Sequence, residues 1–252
     1  MTPQARLIMT LLEKKKSRED EGLFVLEGEK LVEEGFKQIK FIVYSQNLPV
    51  VLKAIENRIQ TFKISKEMMG KITSVESPPG IMAVAKIKNW TISDLLAKPK
   101  PLILFASEIQ DPGNLGTMIR VLDAVNASGL ISSRGTADHY NPKVVRSTMG
   151  SILRVPIVRS QNMVETIEIL KKNRVKVVGT DLSAKKYHWD ADLSGPTVLL
   201  VGNESAGLSN EALKLCNETV KIPMPGRAES LNAAQAATLM LYEALRQRTK
   251  ND

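Results

Sequence analysis

The 252-residue chain, 43% hydrophobic and 25% charged, has the composition of a soluble globular protein of one large or two ordinary domains, which excludes disordered and fibrous classes. A net charge of +8, from 35 basic and 27 acidic residues, favours a polyanionic partner, because lysines and arginines that neutralise phosphates release condensed counterions. The single cysteine, Cys216, excludes an internal disulfide and any multi-cysteine metal site, and only His139 and His188 offer imidazoles, so no metal is expected.

The polar start Met1-Thr-Pro-Gln-Ala-Arg6 is no signal peptide, and no apolar run approaches the ~20 residues of a membrane span. The chain is therefore expected in the cytoplasm. Leu7, Ile8, Leu11 and Leu12 recur at helical spacing, and the basic run Lys14-Lys-Lys-Ser-Arg18 follows. That run reads either as the solvated end of the first helix or, through Lys15, Lys16 and Arg18, as a contact with a nucleic-acid backbone. Apolar runs at 24–26, 41–44, 61–64 and 82–84 alternate with helical stretches at 30–35, 50–55 and 66–72, the pattern of a small α/β domain. From Asn89 to Pro101 the periodicity breaks and ends in two prolines, which places a first domain over 1–90, a linker over 91–101 and a second domain over 102–252.

In the second domain, strands at 102–105, 130–132, 155–158, 175–179, 197–201 and 220–222 alternate with helices at 115–125, 143–148, 164–172, 210–216 and 233–248. A mostly parallel sheet with helices on both faces follows. No G-x-G-x-x-G occurs, which weighs against a Rossmann dinucleotide site. Gly202 and Gly207 have the gap of a P-loop, but Leu208 stands where that motif needs a lysine, so a nucleotide triphosphatase is excluded. Aromatic residues make up 4% of the chain and read as unclustered, so no aromatic RNA-stacking platform is expected.

Three stretches stand out together: Glu108-Ile-Gln-Asp-Pro-Gly-Asn-Leu-Gly-Thr-Met-Ile-Arg120, Leu200-Val-Gly-Asn-Glu-Ser-Ala-Gly-Leu208, and Ile222-Pro-Met through Glu229-Ser-Leu-Asn232. In this order they resemble the sequence motifs of the SpoU (TrmH-type) branch of the SPOUT RNA methyltransferases. The resemblance spans about 102–248. Leu23-Phe-Val-Leu-Glu-Gly-Glu-Lys-Leu-Val32 resembles the ribosomal-protein-like substrate-binding domain that precedes many such catalytic domains. Asn141-Pro-Lys-Val-Val-Arg-Ser-Thr-Met-Gly150 is similar to a further family stretch in which serine more often precedes the proline.

The resemblance implies a trefoil-knotted α/β catalytic domain with a smaller N-terminal RNA-binding domain, and transfer of a methyl group from S-adenosylmethionine (SAM) to a ribose 2′-hydroxyl. It places the catalytic set at Asn114, Arg120, Glu204, Ser230 and Asn232. The cofactor cradle it implies comprises Thr180, Asp181, Val201, Gly202, Asn203, Gly207, Ile222, Met224, Leu231 and Asn232, with Gly202 letting the backbone approach the ligand. Asn114 and Asn232 suit positioning, because carboxamides donate and accept at once. Arg120 suits a clamp on phosphate and developing alkoxide, since a guanidinium is a poor base. Glu204 would orient Arg120 or bind the motif loops. Ser230 and Asn232 also fit helix caps, and Asp111-Pro-Gly-Asn114 alone reads as a turn. Arg146 and Arg154 read as phosphate contacts or surface ion pairs, and His139 as a loop residue. The expected substrate is ribosomal RNA, with tRNA or a non-catalytic ribosome-assembly role as alternatives; a homodimer, and no DNA or membrane partner, are expected.

Overall fold

The computed structural model describes residues 2–249, which fall into two compact units. The first contains the chain up to Lys88 together with Asp138–Leu153; the second contains Asn89–Ala137 and the chain from Arg154 onward.

The first unit opens with α1 (Pro3–Glu13), α2 (Lys15–Glu21), β1 (Leu23–Glu27), α3 (Glu29–Glu34) and β2 (Ile39–Tyr44). It continues through α4 (Pro49–Glu56), β3 (Gln60–Lys63), α5 (Lys66–Ile72) and β4 (Ile81–Lys86). Its sheet has the order β1-β4-β2-β3, with β4 antiparallel to both neighbours and β2 parallel to β3. Central β4 is covered on both faces, so Ile81 to Ala85 is an uninterrupted apolar run. Val25, Phe41, Val43, Met82 and Val84 meet Ile8 and Leu11 of α1 and Met69 and Ile72 of α5 in one cluster.

Thr2 caps α1 by accepting from the Ala5 amide, and Pro3 occupies its first turn, where a missing N–H costs nothing. The basic run is not the frayed end of this helix. Lys14 is extended, and a second helix starts at Lys15 and ends at left-handed Gly22. Arg18 is consequently 3% exposed: Nη1 donates to the Leu11 and Leu12 carbonyls, which the end of α1 leaves without helical partners, while Nη2 lies 2.6 Å from Asp138. This corrects the reading of Arg18 as an RNA contact, because its guanidinium is consumed inside the unit. Arg18→Ala removes one member of a buried pair and is expected to destabilise the unit by about 3–5 kcal/mol in urea unfolding.

The second unit contains α6 (Ile92–Leu95), β5 (Leu102–Ala106), α7 (Pro112–Ala124) and β6 (Gly129–Ser132). Next in the chain is α8 (Pro142–Ser147), which belongs to the first unit, and then β7 (Ile157–Arg159), α9 (Met163–Lys172), β8 (Lys176–Thr180) and β9 (Lys186–Tyr187). The chain closes with β10 (Thr197–Val201), α10 (Asn210–Leu215), β11 (Glu218–Lys221) and α11 (Ala233–Thr249). The seven strands run in the order β7-β6-β5-β10-β8-β11-β9, and every pair is parallel. Both central strands, β5 and β10, are buried throughout, as a doubly covered parallel sheet requires. Ile103, Phe105, Val198 and Leu200 pack with Leu95 of α6, Ile167 and Leu170 of α9 and Ala212 of α10, while α11 packs on α7 and β10.

Two segments differ from the reading of 91–101 as linker and 102–252 as one domain. Residues 91–95 form a capped turn, in which Thr91 accepts from the Asp94 amide and Asp94 accepts from the Thr91 amide, and Leu95 is fully buried. Arg248 of α11 donates to the carbonyls of Lys100, Leu193 and Gly195, binding the proline stretch to the second unit. Asp138–Leu153 instead joins the first unit through Asp138–Arg18, the Tyr140–Phe24 ring contact at 4.8 Å and Arg146–Glu27 at 3.1 Å. Its α8 is capped by Asn141, whose side chain accepts from the Lys143 amide as a serine would. His139, read as a loop residue, is 2% exposed.

Candidate functional site

The site lies beyond the C-terminal ends of β8, β10 and β11, where open parallel sheets bind ligands. After β10 the chain makes a closed loop: Asn203 and Gly207 exchange backbone hydrogen bonds of 3.0 and 2.9 Å. A Cβ at Gly202 would overlap the Gly207 carbonyl and the Leu208 amide. The missing side chain lets the loop fold back on itself, and the same residue lines the cavity beside it. The Asn203 side chain braces this loop, accepting from the Ser205 and Ala206 amides and donating to the Glu108 carbonyl at 2.9 Å. Glu108 itself has φ +56, an uncommon conformation for a residue with a side chain.

Asp111-Pro-Gly-Asn114 is the capped start of α7, not an isolated turn: the Asp111 carboxylate accepts from the Asn114 amide at 2.8 Å, and Pro112 occupies the first turn. This cap presents its amides to the Glu204 carboxylate, which accepts from Gln110 and Asp111 N–H groups at 3.2 Å and from Asn114 Nδ2 at 2.9 Å. Asn114 Oδ1 in turn accepts from Asn232 Nδ2 at 2.7 Å, and Asn232 Oδ1 accepts from the Ala234 amide at 2.8 Å. Because an ionised carboxylate only accepts and a backbone N–H only donates, both ends fix the orientation of the two carboxamides. The result is a directional chain from the start of α11 through Asn232 and Asn114 to Glu204, drawing together residues up to 118 positions apart.

Burial raises the Glu204 carboxyl, but hydrogen bonds from Asn114, its own backbone, Gln110 and Asp111 outweigh that and hold it below the ordinary carboxylate range. It is therefore an anion at neutral pH. Glu204 is taken up by this network and does not orient Arg120. Arg120 lies on α7 about 9 Å along the helix from Asn114 and is exposed, without a hydrogen bond or ion pair among the described residues. Asn232 is the residue that caps α11; Ser230 is exposed in the preceding loop.

A cavity of about 250 Å³ adjoins this network. It collects Thr180, Asp181, Val201, Gly202, Asn203, Gly207, Ile222, Met224 and Leu231 of the expected cradle, together with Glu204 and Ser230; Asn232, expected in the cradle, does not line it. Leu182, Leu208, Lys221 and Ala236 also line it and were not anticipated. Leu208 was read only for the lysine it is not, and Ala236 shows its role only once α11 is placed one turn after Ala233. The wall is largely aliphatic and carries the carboxylates of Asp181 and Glu204 against the single cation of Lys221. That lining suits a flat apolar group joined to a cationic one and lacks the basic cluster a phosphorylated ligand needs.

None of the remaining expected RNA contacts lines this cavity. Lys15 and Lys16 are exposed, Lys15 being 3.8 Å from Glu19. Arg146 is held by Glu27 and Ser74, and Arg154 lies 2.7 Å from Asp123, so both take the ion-pair reading. Cys216 is partly buried beside Gly179, and burial pushes its thiol up to about 11, as fits a packing role. Among the described residues, no group of three or more His, Cys, Asp or Glu is placed to hold a metal, and no helix is long and apolar enough to cross a membrane.

Residues 101–242 match the SpoU rRNA Methylase family and residues 3–83 the MRM3-like substrate binding domain. The 23S rRNA (guanosine(2553)-2'-O)-methyltransferase RlmP of Bacillus subtilis is 36% identical over 234 residues, 92% of each chain. The SpoU methyltransferase AviRb from Streptomyces viridochromogenes superposes with a TM-score of 0.90 at 32% identity, over 99% of both chains. An AdoMet-bound rRNA methyltransferase from Sinorhizobium meliloti superposes at 0.88 with 34% identity, over 97% of this chain and 95% of the other. With its three motifs joined at one hydrogen-bonded chain beside the cavity, and with relatives matched over nearly its whole length, this protein belongs to the SpoU rRNA methylase family.

Proposed function

We propose that the protein transfers the methyl group of SAM to a ribose 2′-hydroxyl of 23S ribosomal RNA. The observation that carries this reading is the Asn232–Asn114–Glu204 chain, which ties all three motifs together at the wall of a cavity of suitable lining. When bound, SAM supplies an electrophilic methyl group on a sulfonium. The aliphatic side chains of Leu208, Ile222 and Leu231 would hold its apolar portion, and the carboxylates of Asp181 and Glu204 would favour its positive charge. RNA is the substrate because DNA lacks the reacting hydroxyl.

Asn114 and Asn232, locked in one orientation, act as positioning residues that set the loops carrying the cavity wall. Arg120 clamps a phosphate of the substrate and stabilises the alkoxide as it develops. Together these residues would hold the ribose hydroxyl in line with the methyl group that SAM supplies. The hydroxyl proton passes to water or a phosphate oxygen, since a guanidinium cannot accept it. Ser230, exposed and lining the cavity, meets the incoming nucleotide in this reading.

Lys15 and Lys16, in the unit matched to the substrate-binding domain, serve the RNA backbone. The proposed division of labour follows the two compact units: substrate binding by the first, which includes Asp138–Leu153, and catalysis by the second. We further propose a homodimer, supported by Leu239 and Tyr242, which are 41% and 49% exposed on α11, and a cytoplasmic site of action. A monomeric mass at working concentration overturns the dimer. Methyl transfer from labelled SAM to separate pools of unmodified rRNA and tRNA, with mapping of resistance to alkaline cleavage, tests the reaction. One resistant site in rRNA is expected; a site confined to tRNA replaces the substrate, and absence of both transfer and SAM binding replaces catalysis by an assembly role.

A further inference from the structure

Tyr187 and Trp189, with half-buried His188 between them, form an aromatic patch on the connection between β8 and β10, which the sparse aromatic content of the chain had hidden. The rings of Tyr187 and Trp189 stack with centroids 5.0 Å apart and planes 28° from parallel, and His188 tilts against Trp189 at 4.8 Å. Lys221 Nζ stands 5.3 Å from the Tyr187 centroid. Aromatic rings of this size normally bury most of their surface, yet Tyr187 is 39% and Trp189 47% exposed.

The patch is also braced. β9 pairs with β11 so that Tyr187 stands opposite Lys221, and the Tyr187 amide donates to Asp190 at 3.0 Å. Lys221 and the exposed Leu182 both line the cavity described above, so the patch begins where the cavity wall ends. Its rim carries exposed Lys185 and, against the tyrosine ring, Lys221, with the carboxylates of Asp190 and Glu243 on the His188 side. Protein–protein contacts also favour Tyr and Trp but are depleted of lysine. Stacked rings bordered by lysines match instead the two chemistries of a single-stranded nucleic acid, base faces and phosphates.

We propose that Trp189 and Tyr187 form a stacking platform for an unpaired nucleotide next to the methylated one, with Lys185 and Lys221 supplying charge for its phosphates. The placement rests on the methyltransferase reading, and it specifies the substrate class: the target ribose lies in a looped or unpaired RNA segment, not within a duplex.

The chain has two tryptophans, so Trp90→Phe leaves Trp189 as the only reporter; the difference between wild type and Trp189→Phe gives the same reading should that variant misfold. The probes are a mixed-sequence RNA dodecamer and the same dodecamer annealed to its complement. Quenching of Trp189 emission by the single strand and little by the duplex is expected. Trp189→Ala is expected to weaken single-strand binding roughly tenfold and Trp189→Phe to restore most of it, with SAM affinity and molecular mass unchanged.

Unquenched emission, or equal quenching by the duplex, overturns the platform. Conversion of a dimer to a monomer by Trp189→Ala assigns the patch to a second copy of the chain and overturns it equally. Because emission is read without turnover, a protein that shows the quenching but methylates no RNA loses the proposed reaction and keeps the platform.

Discussion

Asn114→Ala is expected to lower methyl transfer by at least about 10²-fold while leaving SAM binding nearly intact. Asn114 does not line the cavity, so it contributes little direct contact with the cofactor, but it is the link through which the starts of α7 and α11 and the loop after β10 hold one arrangement. Removing it leaves Asn232 without its acceptor and Glu204 with one donor fewer. Asn114→Asp is the sharper test, because it places a second carboxylate where Nδ2 now stands 2.9 Å from Glu204. Two carboxylates at that separation cannot both ionise, so the pair raises one pKa. The Asp variant should be worse than Ala at pH 8 and should recover part of its activity as the pH falls and the pair takes up a proton. Wild type should behave oppositely. Its Glu204 is held below the ordinary range, so the stabilisation is complete above that range and is lost as acid protonates the folded carboxyl. Arg120→Ala is expected to abolish transfer without loss of stability, since that side chain is exposed and holds nothing in place. Isothermal titration with SAM, run beside single-turnover transfer, separates these outcomes; unchanged turnover in either variant removes that residue from the mechanism.

Gly202→Ala is expected to weaken SAM binding by roughly 100-fold or more, which is about 2.8 kcal/mol at 25 °C. The atoms a Cβ would meet are all backbone, the Gly207 carbonyl and the Leu208 amide, so no side chain can swing aside. Relief requires breaking the paired hydrogen bonds between Asn203 and Gly207, and with them the curvature that forms the cavity wall. Gly207→Ala is the control. Its φ of +68 makes an L-residue strained by roughly 1–2 kcal/mol, but nothing lies within 4 Å of the new Cβ. The loop should survive with a modest loss of affinity. Equal affinity of the Gly202→Ala and wild-type proteins for SAM would show that this loop does not shape the cofactor site.

Much of this molecule is written locally in the chain. The strands at β1, β5 and β10 and the helix α11 follow from apolar runs and periodicity, because hydrophobic pattern and burial are the same property seen before and after folding. Gly202 and Gly207 mark the loop at the cavity because glycines directly after an apolar strand signal a turn at its C-terminal end. The three motifs, taken together, point to the family and its chemistry. The position of Asn114 in its motif is likewise plain, but its partners are not: Glu204 and Asn232 lie 90 and 118 residues away, and only the parallel sheet brings them within 3 Å.

The same limit explains Arg18, which local composition places on a basic surface and which Asp138, 120 residues distant, draws inside. It explains why Asp138–Leu153 packs with the first unit while its neighbours in sequence build the second. It also separates Gly202 from Gly207, alike in sequence but opposed in the space around them. Local pattern thus determined the elements, the chemistry-bearing residues and the family. Tertiary structure decided which charges are spent on packing and which, like Arg120, stay exposed and unpaired among the described residues, because pairing energy depends on distance in space and the sequence records only distance along the chain.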